Sequence, residues 1–141
     1  MPAAFDLTMA DGRQPVVALV IDNRATAMVA SALVRQFGGR VVAAPGADAM
    51  LALLARIARV DLVVVDLALR TMDGFAAAGL VHALAAHRAV PVVALAEPTS
   101  DIAGRGATAG LAAAVTKPFS PRELHAALCT ALGPRRATVL S

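Results

Sequence analysis

The sequence predicts a single α/β domain in which a parallel β-sheet is covered by helices on both faces. Short, continuous apolar runs alternate along the chain with longer segments of helical periodicity, and two of these runs end in an aspartate. Runs that are apolar at every position are typical of strands buried on both faces, which is how parallel sheets occur. The chain has 141 residues, a length that suits one domain with its own core.

Five apolar runs are predicted as strands. They lie at about residues 16–21, 41–44, 61–66, 90–95 and 111–116. Because the strands alternate strictly with helices, each neighbouring pair forms a βα unit with a right-handed crossover. A doubly wound (βα)5 sheet of this size favours the flavodoxin-like strand order 2-1-3-4-5.

Helical patterns fill the intervals between the strands. They cover about residues 24–37, 47–58, 74–87 and 121–132, with a weaker pattern within the glycine-containing segment 99–109. The last helix has the clearest start, because Ser120 suits the N-cap, Pro121 the first helical position and Glu123 the partner position of a capping box.

Domain boundaries follow from the same pattern. We expect a flexible N-terminal leader over residues 1–15, one folded domain over 16–133 and a C-terminal tail over 134–141. The sequence has no signal-peptide pattern and no apolar run long enough to span a membrane, so a cytoplasmic protein without membrane insertion is expected. The net charge is only +3 and no run of five or six like charges occurs, which argues against DNA binding.

Charged residues follow three of the predicted strands. Asp22 ends the first strand, Asp66 the third, and Lys117 follows the fifth. In the order 2-1-3-4-5 the switch point lies between strands one and three, so both carboxylates are expected in one crevice with the ammonium group nearby. Two carboxylates and a lysine suit Mg²⁺ and a phosphate group, and hence phosphoryl transfer to a carboxylate. The structural alternative is that the aspartates cap helices and that Lys-Pro forms a plain turn.

Two motifs give these residues a family context. Asp66 is followed by a loop that closes in Met72-Asp73-Gly74, and the last strand is followed by Lys117-Pro118-Phe119 and a Ser-Pro helix start. With these motifs the chain resembles the response regulator receiver family of two-component signalling over about residues 15–133.

The resemblance implies a set of site residues and partners. Asp66 is then the phosphoacceptor, Lys117 the phosphate-binding lysine and Asp22 a ligand of Mg²⁺, together with Asp66 and the backbone carbonyl of Ala68. The phosphoryl donor is expected to be a histidine kinase or a histidine phosphotransferase, and the output a downstream protein target. The domain is thus expected to be a regulatory phosphoacceptor rather than an enzyme.

Three positions depart from the family's pattern by losing a functional group. Ile21 stands where the family has the first acid of a pair, which is expected to weaken Mg²⁺ binding by roughly ten- to a hundredfold. Ala96 replaces the hydroxyl residue at the end of strand four, and Ala114 replaces the aromatic residue of strand five. An altered or weakened phosphorylation switch is therefore expected.

Glu97 departs from the family by adding a charge where a small residue is usual. Three arrangements are open at the sequence level. The carboxylate would repel a phosphoryl group by about 1–4 kcal/mol if it came within about 4 Å of it. It could instead turn outward into solvent, or pair with Lys117 or Arg70.

Two other functions remain as alternatives. One is an interaction module that works independently of phosphorylation. The other is a chemotaxis-like regulator that binds a cyclic dinucleotide through Arg135 and Arg136. The glycine-rich segment 104–110 lacks the spacing of a nucleotide loop, and the sequence leaves open whether two copies associate into a homodimer.

Overall fold

The computed structural model describes residues 7, 12–57, 59–69, 73–83, 89–98 and 110–132. Within these residues strands and helices follow one another in the order β1 (Val16–Val20), α1 (Arg24–Gln36), β2 (Arg40–Ala44), α2 (Ala47–Arg56), β3 (Leu62–Asp66), α3 (Gly74–Ala83), β4 (Val92–Ala96), β5 (Ala113–Thr116) and α4 (Pro121–Leu132). The helix predicted within 99–109, Met72 and the expected end of the third helix near His87 lie outside the described residues.

All strands pair in parallel in one five-stranded sheet of order β2-β1-β3-β4-β5. This confirms the doubly wound flavodoxin-like fold. β1 lies between β2 and β3, with Val20 paired to Ala44 on one side and to Val65 on the other. The connection from β1 to β2 and the connection from β2 to β3 therefore run in opposite directions across the sheet. A crevice is expected between the carboxyl ends of β1 and β3, where the direction changes.

Side chains alternate along each strand and divide the core into two layers. One layer lies with α1 and α4 and includes Val17, Leu19, Leu62, Val64, Val93, Leu95 and Val115. The other lies with α2 and α3 and includes Ala18, Val20, Val63, Val65 and Val92. Because both faces are covered, β1, β3 and β4 are buried at every position, as the continuous apolar runs predicted.

Two helix starts show why the sequence begins helices where it does. The Asn23 side chain accepts a hydrogen bond from the amide of Thr26 at the start of α1. At the start of α4, Glu123 donates its amide to the Ser120 hydroxyl oxygen while its carboxylate accepts from the Ser120 amide. The predicted capping box is therefore present. None of the described helices is both long and apolar enough to cross a lipid bilayer.

Leu7 is buried in the layer formed by α1 and α4, although it lies in the segment expected to be a flexible leader. Its amide donates a 2.7 Å hydrogen bond to the carbonyl oxygen of Phe37, just after α1. At this residue the structure departs from the expectation of a loosely packed leader. The physical reason is that the residues at the end of α1 offer both an apolar surface and a carbonyl oxygen that can accept a hydrogen bond from outside the helix.

Asp61 ties the start of β3 to the start of β1. Its carboxylate accepts the amide of Val16 at 2.7 Å, and its own amide donates to the Val16 carbonyl at 2.9 Å. Arg59 lies 2.7 Å from the same carboxylate and also donates to the carbonyl of Gln14. The buried carboxylate therefore joins the two central strands at the edge opposite to their carboxyl ends.

We expect Asp61→Ala to lower the free energy of unfolding by about 2–3 kcal/mol, because it leaves the Val16 amide without its acceptor and removes the partner of Arg59. Urea unfolding followed by circular dichroism measures the change. The matched control is Asp48→Ala, which removes an exposed carboxylate from the first turn of α2 and should cost less than about 1 kcal/mol. Equal losses in the two variants would contradict the role assigned to Asp61.

Candidate functional site

An ion pair joins the ends of β3 and β5 at the carboxyl edge of the sheet. Asp66 is the last residue of β3 and is only 1% exposed. The Nζ atom of Lys117, directly after β5, lies 3.0 Å from both carboxylate oxygens of Asp66. The structure thus brings together two of the three side chains that the sequence predicted to meet.

Backbone hydrogen bonds hold both residues of the pair in place. The Leu67 amide donates to Leu95, and the Lys117 amide donates to Ala96, so the pairing of β4 with β3 and β5 continues to this level. The Ala68 amide donates to Oδ1 of Asp66 at 2.9 Å, which orients the carboxylate across the turn after β3. The charged groups are therefore positioned by rigid sheet backbone.

Glu97 is the second partner of the lysine. Its Oε1 atom lies 3.0 Å from Nζ of Lys117, and its side chain is 46% exposed. Pairing with Lys117, one of the arrangements left open by the sequence, is observed. Arg70, the other cation considered as a partner, lies outside the described residues. Lys117 thus bridges one buried and one exposed carboxylate.

The environment of Lys117 changes its acidity. Burial favours the neutral amine and would lower the pKa of Lys117. The hydrogen bonds to Asp66 and Glu97 and the charges of these carboxylates act in the opposite direction and prevail, so this pKa is raised above its ordinary value. The ammonium group is therefore fully charged at neutral pH.

Asp22 and Ile21 mark the end of β1. Ile21 continues the pairing with β2 by donating its amide to Ala44, and its side chain is buried in the apolar layer with α1 and α4. Asp22 is half-buried and lines an open cleft together with Arg24 and Pro45. The structure places this third predicted site residue just after β1, the strand that pairs with β3, and in a cleft whose lining does not include Lys117 or Glu97.

The donor set at this edge suits a hard cation that retains water. In the part of the chain that the structure describes, no three side chains of histidine, cysteine, aspartate or glutamate group as a metal-binding cluster. Mg²⁺ needs no such cluster, because one or two carboxylates with a carbonyl oxygen and water molecules complete its shell. The Asp66 carboxylate and the exposed turn at Ala68 fit that requirement.

Ala96 and Ala114, where the resemblance leads us to expect a hydroxyl and an aromatic residue, carry only methyl groups. Ala96 is buried at the end of β4 and pairs with Thr116. Ala114 is exposed on β5 and pairs with Ala94. Neither position can offer a phosphoryl group a hydroxyl or turn an aromatic ring toward the core.

One polar pair on α4 was missed by sequence reasoning. Nε2 of His125 lies 3.5 Å from Sγ of Cys129, and the His125 ring packs edge-on against Phe37. Their spacing of four residues along a helix was the available signal. The pair packs against the apolar layer under α4. Arg135, Arg136 and most of the glycine-rich segment 104–110 lie outside the described residues.

Known proteins resemble the chain over most of its length. The family model described as response regulator receiver domain matches residues 17–129. The receiver domain of a sensor histidine kinase from Pseudomonas aeruginosa, whose structure has a magnesium ion coordinated in the active-site cleft, superposes with a TM-score of 0.76 at 27% identity, covering 86% of this chain and 99% of that one.

Two further structures show the same fold. A CheY-like response regulator receiver domain protein from Methanospirillum hungatei has a TM-score of 0.78 at 21% identity, covering 89% of this chain and 98% of its own. A chemotaxis response regulator of Vibrio cholerae has a TM-score of 0.73 at 24% identity, covering 79% and 93%. The chain matches no curated protein sequence.

The five-stranded parallel sheet of order β2-β1-β3-β4-β5, with helices on both faces, is the fold of these receiver domains. The chain belongs to the response regulator receiver domain family.

The raised pKa of Lys117 makes a prediction for alkaline pH. A group whose pKa is higher in the folded state stabilises the fold fully below its unfolded-state value, about 10.4 for lysine. The contribution is lost as the pH rises through the folded-state pKa. We therefore expect the difference in unfolding free energy between wild type and Lys117→Met to be constant from about pH 7 to about pH 9.5 and to shrink above about pH 10.4.

No other lysine and no tyrosine contributes to this comparison, because Lys117 is the only lysine in the sequence and tyrosine is absent. The chain's one thiol is that of Cys129. Repeating both measurements in a Cys129→Ala background removes it. A difference that stays constant up to about pH 12 would contradict the proposed cause.

Proposed function

We propose that the protein is a two-component receiver domain that accepts a phosphoryl group on Asp66 from a histidine kinase or a histidine phosphotransferase. The observation that carries the proposal is the position of the Lys117 ammonium group, 3.0 Å from both oxygens of a carboxylate buried at a strand end. A charged group held there can stabilise negative charge on a phosphoryl group as it arrives.

The proposed step transfers one phosphoryl group between two side chains. A carboxylate oxygen of Asp66 attacks phosphorus, an O–P bond forms, and the P–N bond to the donor's imidazole breaks with its electron pair passing to nitrogen. The Ala68 amide keeps the carboxylate in one orientation, since it donates to Oδ1. Lys117 shifts its hydrogen bonds from the carboxylate to the phosphoryl oxygens, so little reorganisation of the backbone is needed.

Mg²⁺ is the proposed cofactor, held by the carboxylates of Asp22 and Asp66 and the backbone carbonyl of Ala68. When bound, the ion neutralises charge on the phosphoryl oxygens. Support comes from the adjacent strand ends that carry the two aspartates and from the related Pseudomonas receiver domain with magnesium in its cleft. Because Ile21 supplies no second acid, we propose that the ion binds weakly.

We propose that phosphorylation does not act through a strand-four hydroxyl and a strand-five aromatic residue in this domain. Ala96 has no hydroxyl group to bind a phosphoryl oxygen, and Ala114 has no aromatic ring that could turn inward in response. We therefore propose that this cytoplasmic regulatory domain acts on a downstream protein by direct contact, or passes its phosphoryl group on in a phosphorelay.

The surface beside the site suits a protein partner. Val29 and Phe119 line the same open cleft as Lys117 and Glu97. Met28 and Val29 on α1 are 66% and 53% exposed. Exposed apolar side chains that border a charged site are typical of a protein–protein contact. A kinase or phosphotransferase helix that docks there would bring its phosphohistidine toward the buried carboxylate.

The central prediction is that a small phosphodonor labels Asp66. Incubation with acetyl phosphate and Mg²⁺ should add one phosphoryl group to the wild type, detected by intact-protein mass spectrometry. Asp66→Asn should abolish the label, because an amide oxygen is a poor nucleophile. Asp48→Asn, which removes an exposed carboxylate from α2, should leave labelling unchanged.

A wild type that takes no label from acetyl phosphate or from a promiscuous histidine kinase would refute the proposal. The absence of a hydroxyl at Ala96 and of an aromatic ring at Ala114 would then favour the second candidate, an interaction module that works without phosphorylation. Label that persists in Asp66→Asn would show that another residue is the acceptor.

The metal assignment makes a separate prediction. Asp22→Asn should weaken Mg²⁺ binding by at least about tenfold, because it removes one of the proposed carboxylate ligands. Isothermal titration calorimetry or backbone NMR shifts near Asp66 measure the affinity. Asp48→Asn serves as the control for the loss of one negative charge. Equal affinities for wild type and Asp22→Asn would exclude Asp22 as a ligand.

A further inference from the structure

Glu97 and Asp66 share one ammonium group. Nζ of Lys117 lies 3.0 Å from Glu97 and 3.0 Å from Asp66. The sheet register explains this arrangement, because Leu95 is paired with Asp66 and Glu97 lies two residues further along the same strand direction. The pairing of β3, β4 and β5 therefore brings the three residues close enough for this contact.

The two carboxylates hold the ammonium group with different freedom. Asp66 is buried, is held by the Ala68 amide and contacts Lys117 through both oxygens. Glu97 is 46% exposed and contacts Lys117 through one oxygen. Rotation of Glu97 into water costs little compared with displacement of a buried carboxylate, so the contact with Glu97 is the one that can be given up.

A phosphoryl group on Asp66 changes the charge balance around the lysine. Two carboxylates and one ammonium group carry a net charge of about −1, and a phosphoryl group adds further negative charge at about pH 7. The new oxygens then compete with Glu97 for the donors of Lys117, while the Glu97 carboxylate repels them across a short distance. Both effects oppose phosphorylation.

We propose that Glu97 is a positioning residue that restrains phosphorylation of Asp66 by competing for Lys117. This inference rests on the proposed function and adds a regulatory role for one residue of the same site. Glu97 raises the concentration of phosphodonor that is needed to phosphorylate Asp66. Once the phosphoryl group binds Lys117, the Glu97 side chain releases the lysine and turns into solvent.

The test compares wild type with Glu97→Gln, which keeps the side chain's size but removes its charge. Each protein is titrated with acetyl phosphate in the presence of Mg²⁺, and the phosphorylated fraction is read by intact-protein mass spectrometry. We expect half-maximal phosphorylation of Glu97→Gln at an acetyl phosphate concentration about two- to fivefold lower than for wild type. Glu97→Ala should shift in the same direction, and Asp48→Asn should not shift.

A second measurement separates electrostatic competition from a change in local structure. Loss of the Glu97 charge should raise the affinity for beryllofluoride, an anionic mimic of a phosphoryl group, without raising the affinity for Mg²⁺ measured in its absence. A merely structural change would weaken both. Thermal unfolding checks that the exposed substitution leaves the fold intact.

The outcomes distinguish this inference from the proposed function. If wild type is labelled and Glu97→Gln needs the same or more acetyl phosphate, the restraint is refuted and the phosphoacceptor role of Asp66 stands. If acetyl phosphate labels Glu97→Gln but not wild type, the restraint is supported, and labelling by a histidine kinase then decides whether Asp66 accepts a phosphoryl group in the wild type. If neither protein is labelled, both the restraint and the phosphoacceptor role fail.

Discussion

The alternation of side chains along parallel strands is the constraint on which the site depends. On the face covered by α1 and α4, each of three adjacent strands has an apolar row along its length, and these rows include Val64, Leu95 and Val115. The residue two positions further along the chain is Asp66, Lys117 or, after β4, Glu97, and Lys117 contacts both carboxylates. Each charged residue therefore follows the apolar residues of its row, at or just after the end of the strand, where the sheet reaches solvent. A carboxylate anchored there must be paired, because an unpaired buried charge is costly.

The same alternation accounts for Ile21. The row on β1 runs through Val17 and Leu19 to Ile21, and all three belong to the layer formed with α1 and α4. An apolar residue at this position packs well, but it adds no carboxylate beside Asp66. On β4 the corresponding row ends in the carboxylate of Glu97 instead of a small residue. Relative to the family's pattern, this chain therefore lacks one acid near the proposed metal ligands and has one near the lysine.

The fold could be predicted from the sequence because its signals are local. Buried runs indicated five parallel strands, and Ser120 with Glu123 indicated the start of α4. The Asp66–Lys117 pair was predictable because strand ends meet once the strand order is known. The contact of Glu97 remained open among several, since an exposed side chain at a strand end has several rotamers. The anchoring of Leu7 and the Asp61 bridge had no local pattern, because both depend on surfaces formed only after the chain folds.

The presence of a lysine rather than an arginine at position 117 suits a site in which the cation exchanges one hydrogen-bond acceptor for another. The chain has thirteen lysine and arginine residues, yet Lys117 is its only lysine, so composition does not explain lysine at this position. An arginine would grip Asp66 with a planar, two-pronged fork that favours one fixed geometry. An ammonium group is a compact charge with three donors on a flexible stem, and it can hold two carboxylates and then turn toward a third anionic group. The observed bridge between Asp66 and Glu97 uses this property. A lysine that must release one partner to bind another therefore fits a phosphoryl-accepting site better than a purely structural ion pair.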